Sequence, residues 1–144
     1  ELKSIKTVNS KNSWRIKTNA NSSNTAKTTL WYPVSNANQQ QFEIKGPATV
    51  KVFSRLKYND SEIKKDYYLR VREDGYDLGS FYFQTEKSNE SYVAKTNEPV
   101  GKWRSFWLNI PKGKHYYTFT LPENDQNKDM TVFIRIKEWL EKEK

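Results

Sequence analysis

From Gly46 to Asp74 the chain reads GPATVKVFSRLKYNDSEIKKDYYLRVRED, and its side chains sort by every second position. Val50, Val52, Ser54, Leu56 and Tyr58 form one set, and Lys51, Phe53, Arg55 and Lys57 form the other. After a polar loop the pattern returns, with Tyr67, Leu69 and Val71 set against Tyr68, Arg70 and Arg72. A period of two sends one set to a core and the other to the outer face of a sheet, whereas a helix would scatter both around its circumference. Gly46-Pro47 in front and Asp74-Gly75 behind read as turns. The segment therefore predicts paired strands with an apolar inner face and an outer face of cations interleaved with rings.

The rest of the chain continues the rhythm. Strand-like runs cover Thr28–Val34, Gln41–Lys45, Leu78–Thr85, Tyr92–Thr96, Lys102–Ile110, His115–Leu121 and Met130–Lys137. Between them, Ser35–Gln40 and Pro111–Lys114 read as hairpin connections, Glu86–Ser91 as a loop and Glu98–Gly101 as a turn. Residues 1–27 read as a basic leader rich in Asn, Ser and Thr, with an early strand around Ser13–Lys17 as the second reading. Residues 138–144 read as a helical turn or frayed tail. The expectation is one domain over residues 28–137 with eight or nine strands. It is a two-sheet antiparallel β-sandwich, jelly-roll or immunoglobulin-like, with a closed β-barrel as the alternative.

Composition narrows the chemistry. There is no Cys, so disulfides, thiolate metal sites and Cys nucleophiles are ruled out. The single histidine, His115, cannot build a two- or three-histidine zinc site, and no G-x-S-x-G elbow exists. It reads as a strand-end side chain with a local partner. Asp125–Asp129 has the D-x-N-x-D spacing of a calcium loop, but Met130 stands where an EF-hand needs Gly and Ile136 where it needs Glu. These features point to a non-enzymatic module without a cofactor or metal. No apolar run approaches the roughly 18 residues of a membrane span.

The net charge is +8, and six of the basic residues stand in residues 1–27 against Glu1 alone. The leader is therefore more basic than the domain, which makes nucleic acid an unfavoured partner. Two binding surfaces suggest themselves. One is the stripe of Lys51, Phe53, Arg55 and Lys57, with Tyr68, Arg70 and Arg72 and then Phe133, Arg135 and Lys137 as further rows. It suits an acidic glycan, an anionic headgroup or another polyanion, or else is a solvated face whose cations pair with nearby acids. The other is the ring set Trp31, Tyr32, Trp103, Trp107 and Tyr116, which serves either as core or as a platform for sugars. The expected ligand-binding positions are Trp31, Tyr32, Trp103 and Trp107, joined by Arg55 and Arg70 for an acidic ligand.

The Gly46-Pro47 turn, the Arg-containing strand Val52–Leu56 and the Pro-x-Gly-x-His run from Pro111 to His115 resemble bacterial cell-envelope β-sandwich modules and jelly-roll carbohydrate-binding modules. The resemblance spans about residues 28–137. It implies a secreted or periplasmic module without catalysis, and it transfers no binding residue. The partner expected is a glycan or an envelope protein. The leader is read as a tether near a membrane, and the strand Tyr92–Thr96 as an edge open to a partner strand.

Overall fold

The computed structural model describes residues 2–5, 13–19, 26–59, 61–123 and 128–139. Nine strands are found there: β1 Leu2–Ile5, β2 Trp14–Asn19, β3 Ala26–Val34, β4 Gln40–Leu56, β5 Lys64–Glu73, β6 Tyr76–Val93, β7 Pro99–Gly101, β8 Arg104–Thr120 and β9 Val132–Trp139. No helix occurs among the described residues. Every pairing is antiparallel. The order β9-β3-β2-β6-β5-β8-β4 closes on itself through a β4–β9 pairing, giving a seven-stranded ring. β1 adds to β9, and β7 to β6. Two hydrogen-bonded layers remain visible in this ring. β3 and β6 each pair within both layers, as strands that turn the corners of a sandwich do. The all-β sandwich and its barrel alternative thus describe one object, a sandwich closed at its corners.

Two strands lie within residues 1–27. β2 pairs with β3 from Trp14↔Trp31 to Asn19↔Ala26, and β1 pairs with β9. At the other end β9 runs on to Trp139, where a helical turn was expected from residue 138. The alternation Phe133, Arg135, Lys137, Trp139 carries the strand that far. Residues 140–144, and Asp125 to Asn127 of the calcium-like spacing, lie outside the described residues.

Three expected turns fall in strands instead, one of them Glu98–Gly101, whose Pro99–Gly101 is β7, with the reversal at residues 94–96. β4 passes straight through Gly46-Pro47, and β8 passes through Pro111–Lys114, each making a 17-residue strand. The interruptions face each other. Pairing runs from Gln40↔Phe119 to Gly46↔Gly113, shifts, and resumes from Ala48↔Ile110 to Ser54↔Arg104. The shift is a β-bulge, where ladder bonds are missing and proline's lack of an N–H costs little. Gly46 is required there, because a Cβ would stand 1.8 Å from the Pro111 carbonyl oxygen. Glu86–Ser91 likewise belongs to the continuous strand β6. Tyr92 is not on an open edge, since it pairs with Lys17 on one side and Pro99 on the other. Asp74-Gly75 is the tight turn expected, with both residues at positive φ (49° and 86°).

The inward set builds the main core. Val50, Val52, Leu56 and Tyr58 of the opening stretch join Tyr67, Leu69 and Val71, together with Phe42, Tyr117, Phe119, Ile134 and Ile136. Ser54 and Tyr67 share a buried hydroxyl hydrogen bond of 2.6 Å, and burial pushes the Tyr67 phenol up to about 12. A second, smaller cluster of Ile16, Trp31, Val93, Val100 and Phe133 packs with Trp14 and Phe53. Phe53 and Phe133 adjoin core residues Val52 and Ile134 in sequence, so this cluster covers the opposite face of β4 and β9.

Two substitutions test this architecture. Gly46→Ala forces backbone apart from backbone at the bulge. It should cost about 3 kcal/mol and lower Tm by roughly 10 °C; an unchanged Tm would mean that β4 and β8 do not approach this closely. The second concerns His115, whose Nδ1 lies 2.6 Å from Asp74 and whose Nε2 lies 3.0 Å from the Lys112 carbonyl. The Asp74 bond, then the Lys112 carbonyl, raise His115 above its ordinary range. The His115 bond, then the Tyr116 N–H, hold Asp74 below its own. The His115 contribution is complete below its unfolded value of 6.5 and fades as pH rises through the raised value. The Asp74 contribution is present above its unfolded value and fades as pH falls through the depressed one. His115→Gln should therefore lower Tm most near pH 6, and by calorimetry the deficit should shrink at higher pH; a deficit that grew with pH would contradict the pairing.

Candidate functional site

Trp107, on β8, and Trp103, just ahead of it, are 50% and 48% exposed, and Trp139 on β9 is 48% exposed. The sheet order brings them together. β4 lies between β8 and β9, and Lys51 is opposite Trp107 on one side and Lys137 on the other. The Lys51 ammonium stands over three rings, 5.0 Å from Phe53, 5.3 Å from Trp107 and 5.5 Å from Trp103. Phe53 meets Trp103 edge-on at 5.4 Å, and Trp107 meets Trp139 edge-on at 6.4 Å. The result is a strip of half-exposed rings across three strands, held at defined angles and centred on one cation. Thr49, Asn109 and Ser105 add hydrogen-bonding groups to the same face.

The strip is electropositive. Lys51 directly opposes Lys137, an arrangement of like charges that destabilises a sheet. Desolvation, then Arg135 and Lys27, lower the Lys137 pKa, and desolvation lowers that of Arg135. Among the described residues none of Lys51, Arg135 and Lys137 forms an ion pair with a carboxylate. Of the expected stripe, Lys51 and Phe53 on β4 and Arg135 and Lys137 on β9 are partly exposed, but Arg55 and Phe133 are buried, Lys57 pairs with Glu98, and β8 separates both rows from the β5 row of Tyr68, Arg70 and Arg72.

Beyond Trp103 the strip runs into a cleft of about 770 Å³. The start of β8, residues 88–91 of β6, Thr18 of β2 and Arg55 of β4 line it. The Ser88 hydroxyl caps the local turn by accepting from the N–H groups of Glu90 and Ser91, each at 3.1 Å. Thr18 and Ser91 share a hydroxyl hydrogen bond of 2.8 Å.

Of the six expected binding positions, Trp103 and Trp107 share the exposed face. Trp31 and Tyr32 do not, being 4% and 7% exposed. Trp31 is sealed into the second cluster, donating its indole N–H to Thr29 at 2.7 Å, because β2 and β7 cover that part of the sheet. Tyr32 belongs to the main core, edge-on to Phe42 at 5.6 Å. Arg55 has the outward parity expected, but it is only 8% exposed, set deep in the lining of the cleft. Arg70 is elsewhere. It sits opposite Thr120 on β8, thirteen residues or roughly 40 Å of strand from Trp107, and its guanidinium is taken by Asp77 at 3.0 Å. Tyr116 is also at that far end, donating to Glu43 at 2.9 Å.

The grouping of titratable side chains Glu73, Asp74 and His115 lies at that end too. Nδ1 faces the Asp74 carboxylate and Nε2 the Lys112 carbonyl, so both ring nitrogens are already engaged, and in the protonated ring neither offers a lone pair to a metal. The cluster fastens the β5–β6 turn to β8. The expected local partner for His115 is this aspartate.

No protein-family model matches the chain, and no curated protein sequence matches it. Among solved structures it is similar to the CBM36-1 domain of a multidomain xylanase from the hindgut metagenome of Trinervitermes trinervoides, with 9% identity and a TM-score of 0.46 over 99% of this chain and 98% of that one. It is also similar to a carbohydrate-binding module CBM36 in complex with calcium and xylotriose, with 10% identity and a TM-score of 0.43 over 85% of each chain. A third is a family 35 carbohydrate binding module from Clostridium thermocellum, with 12% identity and a TM-score of 0.43 over 92% and 95% of the two chains. At these identities and scores no residue role and no ligand passes from them to this chain.

Proposed function

We propose that the protein is a non-catalytic glycan-binding module whose ligand lies along the Trp139–Trp107–Trp103 strip. The observation that carries this reading is the set of three half-exposed indoles on one sheet face, spaced by hydrogen-bonding side chains. Sugar rings present polarised C–H groups on their faces, which stack on the electron-rich face of an indole. Their hydroxyls need polar partners beside the ring, and Ser105, Thr49 and Asn109 stand there. A narrow row of this kind suits a thin polymer better than the broad apolar core of a protein interface. No described helix is long and apolar enough to cross a membrane. A setting outside the cytoplasm, where polysaccharide is met, goes with this reading.

Affinity gel electrophoresis against neutral polysaccharides (xylan, cellulose derivatives, mixed-linkage glucan and mannan) tests it. At least one polymer should retard the protein. Trp103→Ala and Trp107→Ala should each weaken retardation by about tenfold or more, as for aromatic hot spots generally. Both rings are half in solvent, so Tm should change little. Mobility unaffected by every polymer, or retained in both variants, would overturn the reading.

A further inference from the structure

Arg55 combines burial of a charge with an unsatisfied donor. It is 8% exposed, and its guanidinium lies 5.4 Å over the Trp31 ring. Nη1 donates to the Gly101 carbonyl at 3.0 Å, while Nε is buried without a hydrogen-bond partner. Among the described residues no carboxylate pairs with it. Burial lowers its pKa to about 10. A buried charge is normally paired, because desolvation without a counter-charge is strongly unfavourable.

The cleft above it is rich in donors. Ser88 accepts two backbone N–H groups, so its own proton is free to donate. The Thr18–Ser91 pair uses one hydroxyl proton between the two oxygens and leaves the other. Arg104 hydrogen-bonds only neutral carbonyls, those of Gln84 at 2.8 Å and Trp103 at 3.0 Å, and forms no direct ion pair among the described residues, with Glu86 as its nearby counter-charge. Lys102 is neutralised by Glu86. Glu90 is the one carboxylate in the lining, against two arginines, which leaves one positive charge in excess. The volume is within the range of small-molecule sites.

We infer that this cleft is an anion-recognition subsite, in which Arg55, with Ser88 and Arg104, takes the carboxylate or sulfate of an acidic glycan whose sugar ring stacks on Trp103. The inference rests on the glycan-binding reading and deepens it, because Trp103 is both the end of the strip and a wall of the cleft. Gly101 and Trp31 hold the guanidinium in place, no described carboxylate balances it, and the ligand supplies the counter-charge.

The test compares binding of polygalacturonate, a sulfated galactan and a neutral galactan to the wild type, Arg55→Met, Ser88→Ala and the distal control Lys114→Gln. Thermal shifts with glucuronate, inorganic sulfate and glucose at constant ionic strength run in parallel. Wild type should prefer one of the acidic polymers at physiological salt, and the two arms identify carboxylate or sulfate as the group bound. Arg55→Met should lose at least about tenfold of that affinity and keep affinity for the neutral polymer. It should melt no lower than wild type, because no carboxylate is orphaned by the change. Ser88→Ala should reduce the same preference and serves if Arg55→Met does not fold. No acidic preference in wild type, or an equal loss in Lys114→Gln, would overturn the inference while leaving neutral-glycan binding intact. If no polymer binds, but glucuronate or sulfate stabilises wild type and not Arg55→Met, the glycan reading fails and the anion site stands.

Discussion

The full-length pairing of β4 with β8 is the constraint on which the other features depend. It aligns 17 residues of each strand and places the tryptophan strip, the cleft wall and half of the main core in one register. A slip of one residue would exchange Trp107 with Leu108 and Phe53 with Val52 across the sheet. The bulge between Gly46 and Ala48 makes a single register serve both halves. On β4 the inward positions stay even throughout, from Phe42 and Ile44 to Val50 and Val52. On β8 they are Phe106, Leu108 and Ile110 before the bulge, and Tyr117 and Phe119 after it. The extra residue on β8 switches the parity so that both apolar sets turn inward.

That switch also explains what could be read from the residues and what could not. Alternation identified the strand class, most of the strand-forming segments and the inward set, because each of those rests on local period, but it missed β1 and β7 and divided β4, β6 and β8. A change of phase across Pro-Lys-Gly-Lys has two solutions, a chain reversal or a bulge, and local sequence is the same for both. The outcome was decided by Gly46-Pro47, sixty-odd residues earlier, which offers a matching irregularity on the partner strand. Asp74-Gly75 was legible because its two positive-φ residues suit a two-residue reversal and nothing opposes them.

The site was half legible for a related reason. Period two separates the faces of a strand but does not say whether the outer face stays wet. β4 shows both outcomes within three residues. Lys51 and Phe53 lie in the strip, while Arg55 is covered, with β7 close enough to accept its hydrogen bond. Trp31 is covered by the same layer, which includes the β2 hairpin formed from part of the expected leader. Trp139 escaped notice because the acidic and basic residues around it resemble a helical end. The serines of the cleft carry no pattern at all; what gathers them is the approach of residues 88–91 of β6 to the start of β8.

Two unfavourable electrostatic features now stand on the same side of the same sheet. Lys51 opposes Lys137 without an acid to separate them, and Arg55 is buried without a counter-ion. Each would be relieved by an ordinary apolar or acidic substitution of similar size. Other cations do pair: Lys57 with Glu98, Arg70 with Asp77 and, in the cleft itself, Lys102 with Glu86. A surface that neutralises these but leaves Lys51, Lys137 and Arg55 without an acid is locally frustrated in the unbound state. Such frustration is concentrated where binding relieves it, as strain is at functional sites generally. A negatively charged ligand lying on the strip would separate Lys51 from Lys137 and complete Arg55 in one step. On that proposal these unpaired charges and the half-exposed tryptophans have a common physical explanation.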